Sequence, residues 1–148
     1  MYHRILVPLD GSSVAEEAIL CSGTVPPLRR HTHAGARCPS ATQPPALYSM
    51  TDAETWFIRQ RQMQAEAELY LAEIATRPEL IESNPRRLVI AGDADQSLLA
   101  LTEQESFDVL VMATRARRDP IRWVLGSIAD YLVQRTPIPV LLVRQRET

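Results

Sequence analysis

Leu125-Gly126-Ser127 sits at the start of a helical pattern, behind a loop that carries Arg115, Arg117, Arg118 and Arg122. The first backbone N–H groups of a helix have no intrahelical acceptors and lie at the positive end of its dipole, so a phosphate docks there. Gly126, Ser127 and Ile128 are therefore a candidate phosphate cradle through their amides, with the Ser127 hydroxyl as a further donor. The same residues also fit a plain cap, Ser127 helped by Asp130 three positions on. A cap and an anion can share the exposed amides.

Near the other terminus, Ile5-Leu6-Val7-Pro8-Leu9-Asp10-Gly11-Ser12 reads as a buried strand ending in an acidic turn. Asp10 suits a phosphate-bound divalent ion, because magnesium prefers carboxylate and phosphate oxygens. Asp-Gly is equally one of the commonest turn pairs. All 16 basic residues are Arg, so any cationic contact to a phosphate uses a guanidinium, a good bidentate partner. The loop arginines fit a triphosphate clamp and a solvated charged loop alike. Trp123 and Val124 read as packing residues.

The elements that must hold these residues alternate between strand and helix. After the strand at 5–9, Ser13 and Glu16 form a capping box for a helix through Ala15, Ala18 and Ile19. Residues 21–43 carry Pro26-Pro27, Gly35 and Pro39 with no strand or helix period, and read as an irregular segment. Thr51 and Glu54 open a long helix with Met63, Ala67, Tyr70, Leu71 and Ile74 on one face, ended by Pro78. A strand at 87–91, a turn at Gly92-Asp93, a helix from near Asp95 and a strand at 107–113 follow. The last helix turns Ile128, Ala129, Leu132 and Val133 inward, and 138–143 is the final strand. Such alternation demands a parallel sheet covered by helices on both faces.

These pieces together resemble the universal stress protein family over residues 1–20 and 44–148. In that family an Asp after the first strand and a G-x-x-G-x9-G-[ST] signature after the fourth surround a bound ATP. The second half of the signature is present as Gly126 and Ser127, whereas Ala113 and Ala116 stand where the family has glycine. The resemblance implies an open, five-stranded, mainly parallel α/β sheet of the Rossmann-like, adenine nucleotide alpha hydrolase-like kind, in the order 3-2-1-4-5. Ligands of open sheets bind at the carboxyl ends of strands beside the point where the order reverses. Those ends bring Pro8, Leu9 and Asp10 opposite Met112, Ala113, Thr114, Arg115 and Ala116, with Gly126, Ser127 and Ile128 completing an ATP site that would also take magnesium. An alanine forced into left-handed backbone space costs about 1 kcal/mol, so Ala113 and Ala116 are expected to weaken that site. The resemblance also implies a homodimer formed by antiparallel pairing of the last strand, from Ile138 to Val143, with its counterpart. A dimerisation module that no longer binds nucleotide is the alternative.

The bulk numbers agree with one domain over 1–148: 45% hydrophobic and 23% charged residues in a chain of 148. A net charge of −2 implies no general attraction to nucleic acid or to an acidic membrane. The absence of a spanning apolar run or of a signal-peptide core at the start leads to a cytoplasmic expectation. His31, His33, Cys21 and Cys38 lack the spacing of a metal site, and the cysteines read as free thiols. No Walker Gly-Lys-Ser, nucleophile elbow or catalytic carboxylate pair stands out, so the expectation is a stress-response protein that is not an enzyme.

Overall fold

A computed structural model describes residues 2–24, 32–37, 50–114 and 125–144. Among the described residues, five strands and five helices run β1 (Arg4–Pro8), α1 (Ser13–Thr24), β2 (Thr32–Arg37), α2 (Met50–Ala75), α3 (Pro78–Ile81), β3 (Arg86–Val89), α4 (Ala94–Gln104), β4 (Val109–Thr114), α5 (Ser127–Arg135) and β5 (Val140–Arg144). The strands form one sheet in the order β3-β2-β1-β4-β5 with every pairing parallel. The chain moves outward from β1 in one direction through β2 and β3, then returns past β1 to place β4 and β5 on its other side. The order therefore reverses between β1 and β4.

Alternation along the two central strands builds two cores. Ile5, Val7, Val109 and Val111 point to one face and pack with Ala18 and Ile19 of α1, Leu71 and Ile74 of α2, and Leu80 of α3. Leu6, Leu110 and Met112 point to the other, against Leu98 of α4 and Ala129 and Leu132 of α5. Burial of each such side chain stabilises the fold by about 1.5–3 kcal/mol. The amino ends of the strands are joined by polar contacts: the Asp108 carboxylate accepts the His3 and Arg4 amides at 2.6 and 2.9 Å. Glu105 accepts from Arg4 at 2.9 Å and from Arg86 at 2.7 Å.

Several sequence expectations are corrected. The stretch at 21–43 is not wholly irregular: α1 continues to Thr24, and β2 occupies Thr32–Arg37 as an inner strand hydrogen-bonded to both β1 and β3. Thr-His-Ala-Gly-Ala-Arg has little intrinsic strand preference, and two neighbouring ladders override it. The N-cap of α1 is Ser12 rather than Ser13, its Oγ accepting the Ala15 amide at 3.2 Å. Glu16 therefore makes no capping box, its carboxylate being engaged with Tyr70 and Arg77. The long helix α2 ends at Ala75, and Pro78 opens α3 instead of simply stopping the chain. The final strand begins at Val140, two residues after Ile138. On α5, Ala129 and Leu132 are buried as expected, but Ile128 and Val133 are 38% and 44% exposed.

Candidate nucleotide site

The carboxyl end of β1 runs through buried Leu9 to Asp10, where the chain turns sharply into α1. Gly11 takes φ 84°, a left-handed conformation that favours glycine. The Ser12 amide donates to Asp10 Oδ1 at 2.8 Å, so the Asp10 side chain closes the turn and its direction is set by that bond. The turn reading of Asp10 is thus realised. Among the described residues no hydrogen bond reaches Asp10 Oδ2.

Across the reversal point, β4 ends at Ala113 and Thr114, and after the undescribed residues 115–124 the chain re-enters at Leu125 and starts α5. The N-cap of α5 is Gly126, at φ −58° and ψ 152°, and among the described residues no side chain caps the helix. Ser127 is the first helical residue and not its cap, which corrects the sequence expectation. Its first backbone bond is the Asp130 amide to the Gly126 carbonyl at 2.9 Å, while Asp130 itself pairs with Gln134 at 2.9 Å. Among the described residues the amides of the first turn have no side-chain acceptor, and such amides are suited to an anion.

These two strand ends and the start of α5 enclose one cavity of about 600 Å³. That volume lies within the ~300–1,000 Å³ usual for small-molecule sites. It brings together Pro8, Leu9, Asp10, Met112, Ala113, Thr114, Gly126, Ser127 and Ile128. The other two candidates, Arg115 and Ala116, lie outside the described residues, as do Arg117, Arg118, Arg122, Trp123 and Val124. The structure adds wall residues that were not singled out: Ser12, Val14 and Ala15 from the first turn of α1, Ala94 and Leu98 from α4, and Leu125 and Ala129 beside the cradle. The signal for the α1 residues lay in the strand-turn-helix at 5–19, since the helix following a strand starts at that strand's carboxyl end. Nothing local marks Ala94 or Leu98.

The walls are mostly apolar, with Asp10, Ser12, Thr114 and Ser127 as polar side chains and Asp10 as the sole carboxylate among the described lining residues. A Cβ built on Gly126 meets nothing within 4 Å, and its φ is one that any residue adopts. Neither backbone conformation nor contact with the described residues requires a glycine at this point. Ala113 lies in regular β4, and Asn84 is the one described residue other than glycine with positive φ. The expected left-handed strain is therefore absent at Ala113, whose side chain packs against the α1-side core. Among the described residues no group of three or more His, Cys, Asp and Glu gathers into a metal site.

Comparison with known proteins agrees on family and fold. A model of the universal stress protein family matches residues 1–144. Among solved structures, the universal stress protein UspA from Lactobacillus plantarum superposes with a TM-score of 0.73 at 19% identity, covering 97% of this chain and 98% of its own. A universal stress protein in complex with cAMP gives 0.62 at 16% identity over 98% of each chain. A family protein from Arabidopsis thaliana with AMP bound gives 0.63 at 12% identity, over 97% of this chain and 92% of the other. No curated protein matches the chain.

Proposed function

The chain belongs to the universal stress protein family, and we propose that it is a stress-response protein that binds an adenine nucleotide, of the ATP type with magnesium, at the mouth of the β1–β4 reversal. The observation that carries this reading is Gly126: an N-cap with no side chain, bordering a cavity shared with Asp10, where an added methyl would meet no described atom within 4 Å. In this reading the amides of Ser127 and Ile128, with the Ser127 hydroxyl, take a phosphate, and Asp10 Oδ2 takes a ribose hydroxyl or the magnesium. The apolar walls from Val14, Leu98 and Met112 suit the base and sugar faces. Two relatives of the same fold, solved with cAMP and with AMP, support an adenine nucleotide as the ligand class.

The protein works in the cytoplasm as a binding and signalling module rather than an enzyme. Among the described residues no helix is long and apolar enough to cross a membrane. It acts as a homodimer through β5, a strand at the sheet edge whose Leu141 is 38% exposed. An apolar strand at a sheet edge favours pairing with a second copy. Calorimetric titration with Mg-ATP and with AMP tests the nucleotide reading. Binding that is weakened by Ser127→Ala is the expected result; no heat with either nucleotide leaves only the dimeric interaction module.

A further inference from the structure

The first turn of α1 forms one wall of the cavity, and the carboxylate of Glu16 links α1 to the neighbouring helices α2 and α3. Glu16 Oε1 accepts from the Tyr70 hydroxyl at 2.9 Å, and Glu16 Oε2 from Arg77 Nη2 at 2.6 Å. Tyr70 lies on α2 and Arg77 is the N-cap of α3, so one side chain joins three helices. The carboxylate and the guanidinium are 22% and 33% exposed, a setting in which a charge-assisted hydrogen bond keeps much of its strength.

From Glu16 the connection runs back to the cavity through short bonds. The Glu16 amide donates to the Ser12 carbonyl at 3.3 Å, the Ala15 amide to Ser12 Oγ at 3.2 Å, and the Ser12 amide to Asp10 Oδ1 at 2.8 Å. Asp10 and Ser12 line the cavity, whereas Tyr70 and Arg77 do not. We propose that Tyr70 and Arg77 are positioning residues for the nucleotide site, acting through Glu16 to hold the first turn of α1 and with it the direction of the Asp10 carboxylate. The inference rests on the nucleotide reading given above. Burial, and then the hydrogen bond to Glu16, push the Tyr70 hydroxyl above its usual range, in keeping with its role as the donor in that bond.

Coupling between sites is reciprocal. A ligand seated against Asp10 steadies the α2–α3 corner, where the Thr76 and Arg77 amides donate to the Glu73 and Ile74 carbonyls at 3.1 Å each. The test compares the full chain with Tyr70→Phe, Arg77→Gln and Arg77→Lys, titrating each with Mg-ATP and following amide hydrogen exchange over residues 76–83 with and without the nucleotide. Tyr70→Phe and Arg77→Gln are expected to weaken binding about three- to tenfold, as loss of one charge-assisted bond allows. Arg77→Lys should recover part of the loss, and ATP should slow exchange at 76–83 in the parent chain but less in the two weakened variants. Affinities within twofold of the parent, or exchange at the corner that ATP leaves unaltered in the parent, would overturn the proposal. A parent chain that binds no ATP refutes the nucleotide reading itself, a result distinct from unaltered variants and seen before any variant is made.

Discussion

Replacing Gly126 with Asp should separate stability from binding, because the two make opposite demands on one position. Gly126 has φ −58° and ψ 152°, values open to any residue, and a Cβ there meets nothing within 4 Å. The Asp side chain can then accept from the first-turn amides that no described side chain now caps. Asp is better than Gly at an N-cap by a few tenths of a kcal/mol. Its charge at the helix start adds about 0.3–1 kcal/mol, and loss of glycine's freedom in the unfolded chain about 0.4–1 kcal/mol. Allowing for overlap, the variant should be more stable by about 1 kcal/mol, which for a chain of this size raises Tm by about 2–4 °C. In the proposed nucleotide complex the same carboxylate would occupy the place of the phosphate and repel it. A binding loss of about 2.7 kcal/mol corresponds to about a hundredfold in Kd. Differential scanning fluorimetry of the nucleotide-free protein and calorimetric titration with Mg-ATP read the two effects separately. An unchanged Kd for Gly126→Asp would show that no phosphate sits at the start of α5, and a fall in Tm of several degrees would show that the helix start is differently capped.

Three further outcomes follow from the fold. Leu110, fully buried in the α4–α5 core, should cost about 2–5 kcal/mol when changed to Ala, measured by urea unfolding; a loss below about 1 kcal/mol would contradict its place at the sheet centre. The Asp108 carboxyl is held below its usual value of 3.8, first by the His3 amide and then by that of Arg4. A lowered folded-state value gives stability that is present above about pH 4 and lost as pH falls through the lowered value, so Asp108→Asn should flatten the acid limb of a pH–stability profile and leave its slope at neutral pH alone. Truncation before Pro137 removes β5 and should give monomers or aggregates by sedimentation; a well-behaved dimer without that segment would place the interface elsewhere.

Much of this protein could be read from local sequence. The strand at β1 was legible because a parallel strand covered on both faces is one unbroken apolar run, and the helix of α5 because its Gly-Ser start and its buried Ala129 and Leu132 recur at helical spacing. The candidate residues at Asp10 and Gly126 were legible for a chemical reason, since an acidic strand end and an exposed helix start are recognisable without a neighbour. β2 was not, because Thr32–Arg37 holds no strand period of its own and is extended only by the ladders on either side. Boundaries and caps failed for the same cause. Ser12 rather than Ser13 caps α1, and Glu16 turns away to Tyr70 and Arg77, because partners 54 and 61 residues distant outcompete a local capping bond.

What the sequence determined by itself was the supply of parts: alternating elements, apolar faces, one acid at a strand tip and one glycine before a helix. Tertiary structure decided that the acid and the glycine, more than a hundred residues apart, border the same cavity, and that Ala113 carries no backbone strain. The physical reason is that periodicity and propensity act within a few residues, while the return of the chain past β1, which creates the cavity, is set by which strands can pair and bury both faces at once.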